Sequence, residues 1–216
     1  MTSLRMPQGF LLVISAPSGA GKSTVCRRLS ARDRRVFQSV SATTRRPRPG
    51  EREGEHYRFL SKPEFRRWVR GGRLLEWARV HGNHYGTPRA PVERGIRQGR
   101  TAALAIDVQG AASVRRRLKG RVVTVFLLPP SWAVLRRRLC GRNEPAASRR
   151  LRLANARDEM RRAGSYDYWV VNDDLKTAVR QIEAIVQAKR LRVHRAPAST
   201  RAILGPSRRR RPTGGA

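Results

Sequence analysis

The sequence predicts an α/β fold in which helices cover both faces of a parallel sheet. Three observations lead to this expectation. Short apolar runs alternate with segments of helical periodicity along most of the chain, which is the order that parallel sheets require. The first apolar run passes directly into a glycine-rich turn that ends in Lys22, Ser23 and Thr24. Between residues 41 and 87 the alternation stops, and proline, glycine, charged and aromatic residues take over.

The first expected element is a buried strand over residues 10–14, and a helix over residues 23–31 follows the turn. Gly19 and Gly21 let backbone amides approach an anion, and the free N–H groups at the start of the helix point toward it. Ala16 stands where the pattern G-x-x-x-x-G-K-[ST] has its first glycine. We therefore expect nucleotide phosphates at this turn rather than an ordinary strand–turn–helix connection.

Two side chains of the turn carry chemistry. The ammonium of Lys22 can reach the β- and γ-phosphates, and the hydroxyl of Ser23 can hold Mg²⁺ beside them. The residues expected around the phosphates are Ala16, Pro17, Ser18, Gly19, Ala20, Gly21, Lys22, Ser23 and Thr24.

The segment between residues 41 and 87 is expected to form an inserted lobe. Its short strands are expected at residues 56–60 and 74–80. Ser61 followed by Pro63 indicates the start of a short helix between them.

The remaining elements follow from the apolar runs on either side of the lobe. Strands are expected at residues 34–39, 101–107, 122–128 and 168–171, and helices at residues 91–98, 109–118 and 175–186. Residues 131–163 are rich in arginine and helical in period, with a break at residues 141–145. Such a broken helical pair is typical of a mobile lid.

The length of 216 residues fits one domain, but the net charge of +33 is unusual. Residues 189–216 hold nine basic residues and no acidic one, so most of the excess lies elsewhere. Attraction to nucleic-acid phosphates is one interpretation. Arginine enrichment on solvated surfaces is the interpretation that we favour. Residues 196–216 are expected to form a disordered basic tail.

Cys26 and Cys140 are the only cysteines, and neither lies in a cluster with metal-ligand spacing. We therefore expect a reducing cytoplasm and no structural zinc. No apolar run reaches the roughly 18 residues that a membrane span needs. The apolar run after Arg5 is too short for an export signal.

The lobe carries residues suited to a phosphorylated second substrate. Arg45 and Arg48 surround a proline turn, and a guanidinium matches a phosphate in bidentate geometry. Tyr57 and Tyr85 can each add a hydroxyl donor. Glu76 is a carboxylate inside an apolar strand pattern, where it needs a partner. Either an arginine or a substrate can be that partner, and the residues themselves leave both open.

At this point the chain resembles the guanylate kinases, which phosphorylate GMP with ATP. The resemblance covers roughly residues 9–190. It rests on the motifs SAPSGAGKST, SATTRRPRPGEREGEHY, LLEWARVHGNHYGT, AIDVQG, LLPPS, RRLCGR and YDYWVVNDD.

The resemblance implies a P-loop kinase fold, a three-layer α/β/α arrangement with a parallel core sheet, an inserted GMP-binding lobe and a helical lid. It implies a domain over residues 1–195, with the core at 9–40 and 88–195, the lobe at 41–87 and the lid at 138–152. The implied reaction transfers the γ-phosphoryl group of ATP to GMP, and to dGMP, with Mg²⁺, in cytoplasmic purine nucleotide metabolism. The implied partners are therefore small molecules. Nucleic-acid contact through the basic surface or tail is not favoured, and the oligomeric state is open.

The resemblance also implies site residues. Those for the GMP phosphate are Ser41, Arg45, Arg48, Tyr57 and Tyr85, and those for guanine are Glu76, Thr87 and Asp107. Those that act on the transferred phosphoryl group are Lys22, Arg138, Arg142 and Arg152. Asn172 matches a position near the donor adenine.

Ala105 departs from the family pattern, which usually has Asp at this position of the strand. We expect weaker Mg²⁺ coupling and lower turnover as a result. One alternative is a weakened or inactive binding module of the same fold. Lys22, Ser23, Arg138 and Arg142 argue against it, because non-catalytic relatives tend to lose the P-loop lysine and the lid arginines. A P-loop kinase for another acceptor is disfavoured by the three guanine-reading positions.

Overall fold

The structure is a computed structural model that describes residues 9–80, 82–118, 120–140 and 146–192 of the chain. Its strands are β1 (Leu11–Ser15), β2 (Val36–Gln38), β3 (Ala42–Thr43), β4 (Arg58–Phe59), β5 (Leu74–Val80), β6 (Asn83–Pro88), β7 (Thr101–Ala105), β8 (Val122–Leu128) and β9 (Tyr168–Val171). Its α-helices are α1 (Lys22–Arg32), α2 (Lys62–Arg70), α3 (Arg89–Arg97), α4 (Val108–Arg117), α5 (Trp132–Cys140), α6 (Ala146–Arg161) and α7 (Leu175–Arg190), with a 3₁₀ turn at Ala163–Ser165.

Five strands form a parallel sheet in the order β2-β7-β1-β8-β9. Alternate residues of the central strand β1 point to opposite faces. Leu12 and Ile14 pack with apolar residues of α1 and α7, whereas Leu11 and Val13 pack with those of α3 and α4. The expected three-layer arrangement with a parallel core sheet is confirmed.

The lobe has its own four-stranded sheet, in the order β4-β3-β6-β5. Helix α2 packs on it through Phe65, which contacts Ala42 and Leu74. The start of α2 is closed by a capping box, in which Ser61 accepts from the amide of Glu64 and the carboxylate of Glu64 accepts from the amide of Ser61.

Several boundaries differ from the sequence expectation. Within the strand expected at residues 34–39, only β2 forms, and within the strand expected at residues 56–60, only β4 forms. The strand expected at 101–107 ends at Ala105. Asp107 instead caps α4, because its Oδ1 accepts from the amide of Gly110 at 2.9 Å. Strands β3 and β6 were not expected, since neither has an alternating apolar pattern.

Three expectations lie outside the described residues: the break at residues 141–145, Arg142 within it, and the tail at residues 196–216. Within the described ranges, no helix is both long and apolar enough to cross a membrane.

Candidate active site

A cleft runs from the glycine-rich turn to the lobe sheet and contains two adjoining cavities of about 190 Å³ and about 340 Å³. Ser41, Arg48, Tyr57 and Ala105 line both cavities. The smaller cavity is also lined by side chains from the glycine-rich turn, the start of α1, the lobe sheet, the residue before α4, and helix α6. These are Ser18, Lys22, Glu76, Tyr85, Asp107, Arg152 and Glu159.

The glycine-rich turn has the backbone that an anion-binding loop requires. Gly19 and Gly21 have φ of 82° and 95°, a left-handed conformation that glycine adopts at little cost. A Cβ atom on Gly21 would lie 2.7 Å from Nδ2 of Asn172. That same Nδ2 donates to the carbonyl of Ala20 at 2.8 Å. Asn172 therefore holds the loop onto the end of β9.

Lys22 lies at the start of α1 with its ammonium turned back over the loop. Its Nζ donates to the carbonyl of Ala16 at 2.6 Å. Burial lowers the pKa of Lys22, and the nearby carboxylates of Glu159 and Asp107 oppose this effect. A bound polyphosphate would replace the carbonyl as the partner of this ammonium.

Glu159 is a site residue that the sequence analysis missed. It comes from α6, lines the cleft, and accepts from the amide of Ser18 at 3.3 Å. Burial raises the pKa of Glu159, while Lys22 opposes the rise. Its distance of seven residues from Arg152 was the available signal, because two helical turns put both side chains on one face.

Glu76 is buried at the floor of the cleft, with 3% of its surface exposed. Oγ1 of Thr87, its partner across β5 and β6, donates to Oε1 of Glu76 at 2.5 Å. No ion pair joins Glu76 to an arginine within the described part of the chain. The partner of Glu76 in the free protein is therefore a hydroxyl rather than a guanidinium.

The pKa of Glu76 is raised to about 7, mainly by burial. Hydrogen bonds from Thr87 lower it, and the nearby charge of Asp107 raises it further. The second carboxylate oxygen, Oε2, lies against α4, where a Cβ on Gly110 would be only 2.5 Å away. Gly110 is thus required for this carboxylate to occupy its position.

Asp107 has a structural role as well as a position in the cleft. Its Oδ1 is used in capping α4, so Oδ2 is the oxygen left for a ligand. The expectation that Asp107 lies on a strand is wrong, because the helix begins immediately after it.

The two lobe arginines expected to bind a phosphate, Arg45 and Arg48, differ in their contacts. Nη2 of Arg45 contacts both carboxylate oxygens of Glu51 at 2.8 Å, and its guanidinium lies 5.4 Å from the ring centre of Tyr57. The pKa of Glu51 is lowered by hydrogen bonds from the amide of Arg48 and from Arg45, although partial burial opposes this. The guanidinium of Arg48 makes no ion pair with another described residue and lines both cavities. Glu51, which sequence reasoning also missed, therefore positions Arg45 and leaves Arg48 available.

Of the remaining expected site residues, Arg138, Asn172 and Thr87 line neither cavity of the cleft, whereas Arg152 lines the smaller one. Arg138 directs Nη1 and Nη2 to the carbonyl of Asn172, each at 3.4 Å. Asn172 is 6% exposed, and its side chain is used by the loop. Thr87 lies beneath Glu76. Arg152 lines the cleft itself.

The position of Ala105 explains why its side chain matters. It ends β7, pairs in register with Ile14 of β1, and lines both cavities. Ser23 lines the larger one. The described residues contain no group of three or more His, Cys, Asp or Glu side chains that could hold a metal by themselves.

Comparisons with known proteins agree with this arrangement. The sequence model of the family described as guanylate kinase matches residues 8–189. A guanylate kinase of Agrobacterium fabrum is 49% identical over 186 residues, covering 86% of this chain and 84% of the relative. One from Chelativorans sp. is 50% identical over 192 residues, covering 88% of each. The crystal structure of guanylate kinase from Anaplasma phagocytophilum superposes with a TM-score of 0.78 at 34% identity, covering 92% of this chain and 95% of that one.

Proposed function

Since this chain belongs to the guanylate kinase family and is a nucleoside monophosphate kinase, we propose how its cleft transfers the γ-phosphoryl group of ATP to GMP. The observation that carries the proposal is one cavity that is lined both by Lys22, with its ammonium, and by the buried carboxylate of Glu76. The first suits a polyphosphate, and the second suits a base with hydrogen-bond donors. The reaction gives ADP and GDP.

Glu76 selects guanine. Guanine presents N1–H and N2–H₂ as adjacent donors, and one ionised carboxylate accepts both. Adenine lacks this donor pair, so it would leave a buried charge unsatisfied, which is a large penalty. The hydrogen bond from Thr87 orients the carboxylate, and Oδ2 of Asp107 is a further acceptor nearby.

The GMP phosphate binds at the lobe end of the cleft. Arg48 supplies a guanidinium that forms no ion pair with the described residues, and Ser41 and Tyr57 supply hydroxyl donors in the same cavities. Tyr85 lines the smaller cavity. Arg45 stabilises the turn between residues 45 and 51 through its hydrogen bond to Glu51. One phosphate oxygen of GMP is then directed toward the loop.

ATP binds with its phosphates on the loop from Ala16 to Thr24, and we assign its adenine to the neighbourhood of Asn172. Lys22 leaves the Ala16 carbonyl for the β- and γ-phosphates. The GMP oxygen bonds to the γ-phosphorus as the bond from phosphorus to the β–γ bridging oxygen breaks, so ADP leaves with that electron pair. Lys22 and Arg152 neutralise the negative charge that spreads over the transferred group, together with Arg138 and Arg142.

Mg²⁺ is compatible with these residues, although they form no metal cage. Ser23 offers one hydroxyl ligand, and Mg²⁺ commonly takes its remaining ligands from phosphates and water. The ion supplies charge neutralisation at the β- and γ-oxygens when it is bound.

The finer assignments belong to the same proposal. dGMP is accepted, because none of the proposed contacts reaches a ribose hydroxyl. The enzyme works in the cytoplasm, where ATP and GMP are available. The binding-module alternative has no observation in its favour, since Lys22 and Ser23 line the cleft and Arg138 is retained on α5.

An assay of ADP formation tests this proposal with purified protein, ATP and Mg²⁺. We expect turnover with GMP and dGMP, and rates at least about a hundredfold lower with AMP, UMP and CMP, as hydrogen-bonded selection predicts. Lys22→Met should abolish turnover while Lys62→Met, on the surface of α2, retains it. Preference for AMP would refute the role of Glu76, and no ADP with any acceptor would refute the mechanism.

A further inference from the structure

A cavity of about 610 Å³ lies outside the cleft, between α4 and the segment that joins α6 to β9. It is larger than either cavity of the cleft, and its volume falls within the roughly 300–1,000 Å³ of small-molecule sites. None of its lining residues lines the cleft. A ligand there would therefore lie outside both cavities of the cleft.

The inner wall of this cavity is mainly apolar. Val108, Ala111 and Ala112 of α4 form one side, and Tyr166 with Gly164 forms the other. Val108 and Tyr166 belong to one packed cluster with Phe126 of the central sheet. This wall therefore rests on the rigid core, and it suits a flat or compact apolar group.

The rim of the cavity is positively charged. Arg115 and Arg116 come from the last turn of α4, and Arg161 and Arg162 come from the end of α6 and the residue after it. All four side chains are exposed. Four cations around one opening repel one another, so an anion between them is stabilised.

Nearby carboxylates neutralise only part of this charge. Arg115 lies 4.0 Å from Asp167, and Arg161 lies 3.0 Å from Asp158. Arg116 and Arg162 form no ion pair with any residue that the structure describes. These two guanidinium groups are free to bind a ligand.

We propose that this cavity binds a small organic phosphate, with an aromatic body against the apolar wall and its phosphate between Arg116 and Arg162. A guanidinium matches a phosphate in bidentate geometry. The apolar wall distinguishes such a ligand from inorganic phosphate, which would bind only the rim. This site is additional to the proposed substrate sites.

Calorimetric titration with 1-naphthyl phosphate tests the site. The titration is done on the whole protein, alone and with GMP and ADP at saturating concentration. We expect one binding site with the same affinity in both cases. Loss of binding when GMP and ADP are present would assign the ligand to the cleft and overturn the proposal. Inorganic phosphate binding as tightly as 1-naphthyl phosphate would also overturn it.

Two sets of variants identify the residues. The pair Arg116→Gln and Arg162→Gln should weaken binding about tenfold or more, the factor expected for a lost charge-assisted contact. The pair Arg28→Gln and Arg94→Gln removes the same charge from exposed positions on α1 and α3, and it should leave the affinity within about twofold. Equal weakening by both pairs would mean general electrostatic attraction and would overturn the proposal.

Ala112→Phe fills the cavity and keeps all four arginines. It should weaken 1-naphthyl phosphate binding strongly while kinase turnover with GMP is kept, because Ala112 does not line the cleft. Unchanged 1-naphthyl phosphate binding in this variant would show that the apolar wall is not used.

Discussion

Oγ1 of Thr87 donates a 2.5 Å hydrogen bond to Oε1 of Glu76 across the paired strands β5 and β6. The carboxylate is buried and forms no ion pair with a described arginine, although the charge of Arg117 favours its ionised form from a distance. This is a poor environment for a charge in the free protein. It becomes a good one when a ligand brings two N–H donors.

The pH dependence of guanine binding should report this carboxylate. The pKa of Glu76 is raised to about 7, and guanine needs the ionised form. Near pH 6 only about one molecule in ten is ionised, so guanosine affinity should rise about tenfold between pH 6 and pH 8. The measurement is guanosine inhibition of the kinase, because guanosine lacks the phosphate group that titrates near pH 6.

The matched control is Glu76→Gln. It should bind guanosine weakly and show no rise over the same pH range. A rise of equal size in the variant would assign the titration to another group.

Gly110→Ala should disturb the same carboxylate from the side of α4. Alanine normally stabilises a helix interior by about 1 kcal/mol relative to glycine, but here its Cβ would lie 2.5 Å from Oε2 of Glu76. We expect the KM for GMP to rise by about tenfold or more, because a misplaced carboxylate loses hydrogen bonds of the charged kind.

Gly164→Ala is the control for that change, since a Cβ there meets nothing within 4 Å. Its KM for GMP should stay unchanged. If Gly110→Ala behaves in the same way, the close packing of α4 on Glu76 is not needed for guanine recognition.

Glu159→Gln should alter the pH profile of the kinase on its alkaline side. Burial lowers the pKa of Lys22, and the charge of Glu159 opposes this. Without that charge the pKa of Lys22 falls further, so the ammonium loses its proton at lower pH. We expect the alkaline decline of kcat/KM for ATP, which reports the free enzyme, to move to lower pH, and kcat/KM near neutral pH to fall modestly.

Glu183→Gln removes a carboxylate of α7 that pairs with Arg32 outside the cleft, and it should leave the profile in place. If the pH profile of Glu159→Gln matches that of the parent protein, Glu159 does not influence the pKa of Lys22 during the reaction.

Ala105→Asp should restore a carboxylate at the end of β7, beside the cavity that contains Ser23. We expect kcat to rise at limiting Mg²⁺ and the Mg²⁺ concentration for half-maximal rate to fall, because a carboxylate holds the ion or its waters. Ala105→Asn, which has the same size without the charge, should give a smaller gain. An unchanged or lower rate in Ala105→Asp would show that other groups compensate for the missing carboxylate or that it is not needed.

Much of the site could be predicted because it rests on local chemistry. The turn from Ala16 to Thr24 needs glycine at positions of positive φ, and that need is visible in the residues themselves. Arg48 and Glu76 were identified by residue type and context. Asp107 was expected at the site only through the family resemblance, and its strand was extended too far, because a capping aspartate can follow an apolar run just as a strand residue does.

The sequence by itself determined the alternation of strands and helices in the core, the glycine-rich turn and the presence of a separate lobe, although it did not indicate β3 and β6. Hydrophobic periodicity and the need for glycine in turns with positive φ are local properties, so they are visible in the sequence. The tertiary structure alone decided which groups act on each other. Ser18 and Glu159 are 141 residues apart, and only folding brings that carboxylate to the loop. Folding also sets the pKa of Glu76, which depends on burial and on contacts with Thr87 and Asp107. It likewise forms the arginine-rimmed cavity, whose walls come from α4 and the end of α6. Desolvation and charge coupling depend on distance in space, and distance along the chain does not encode them.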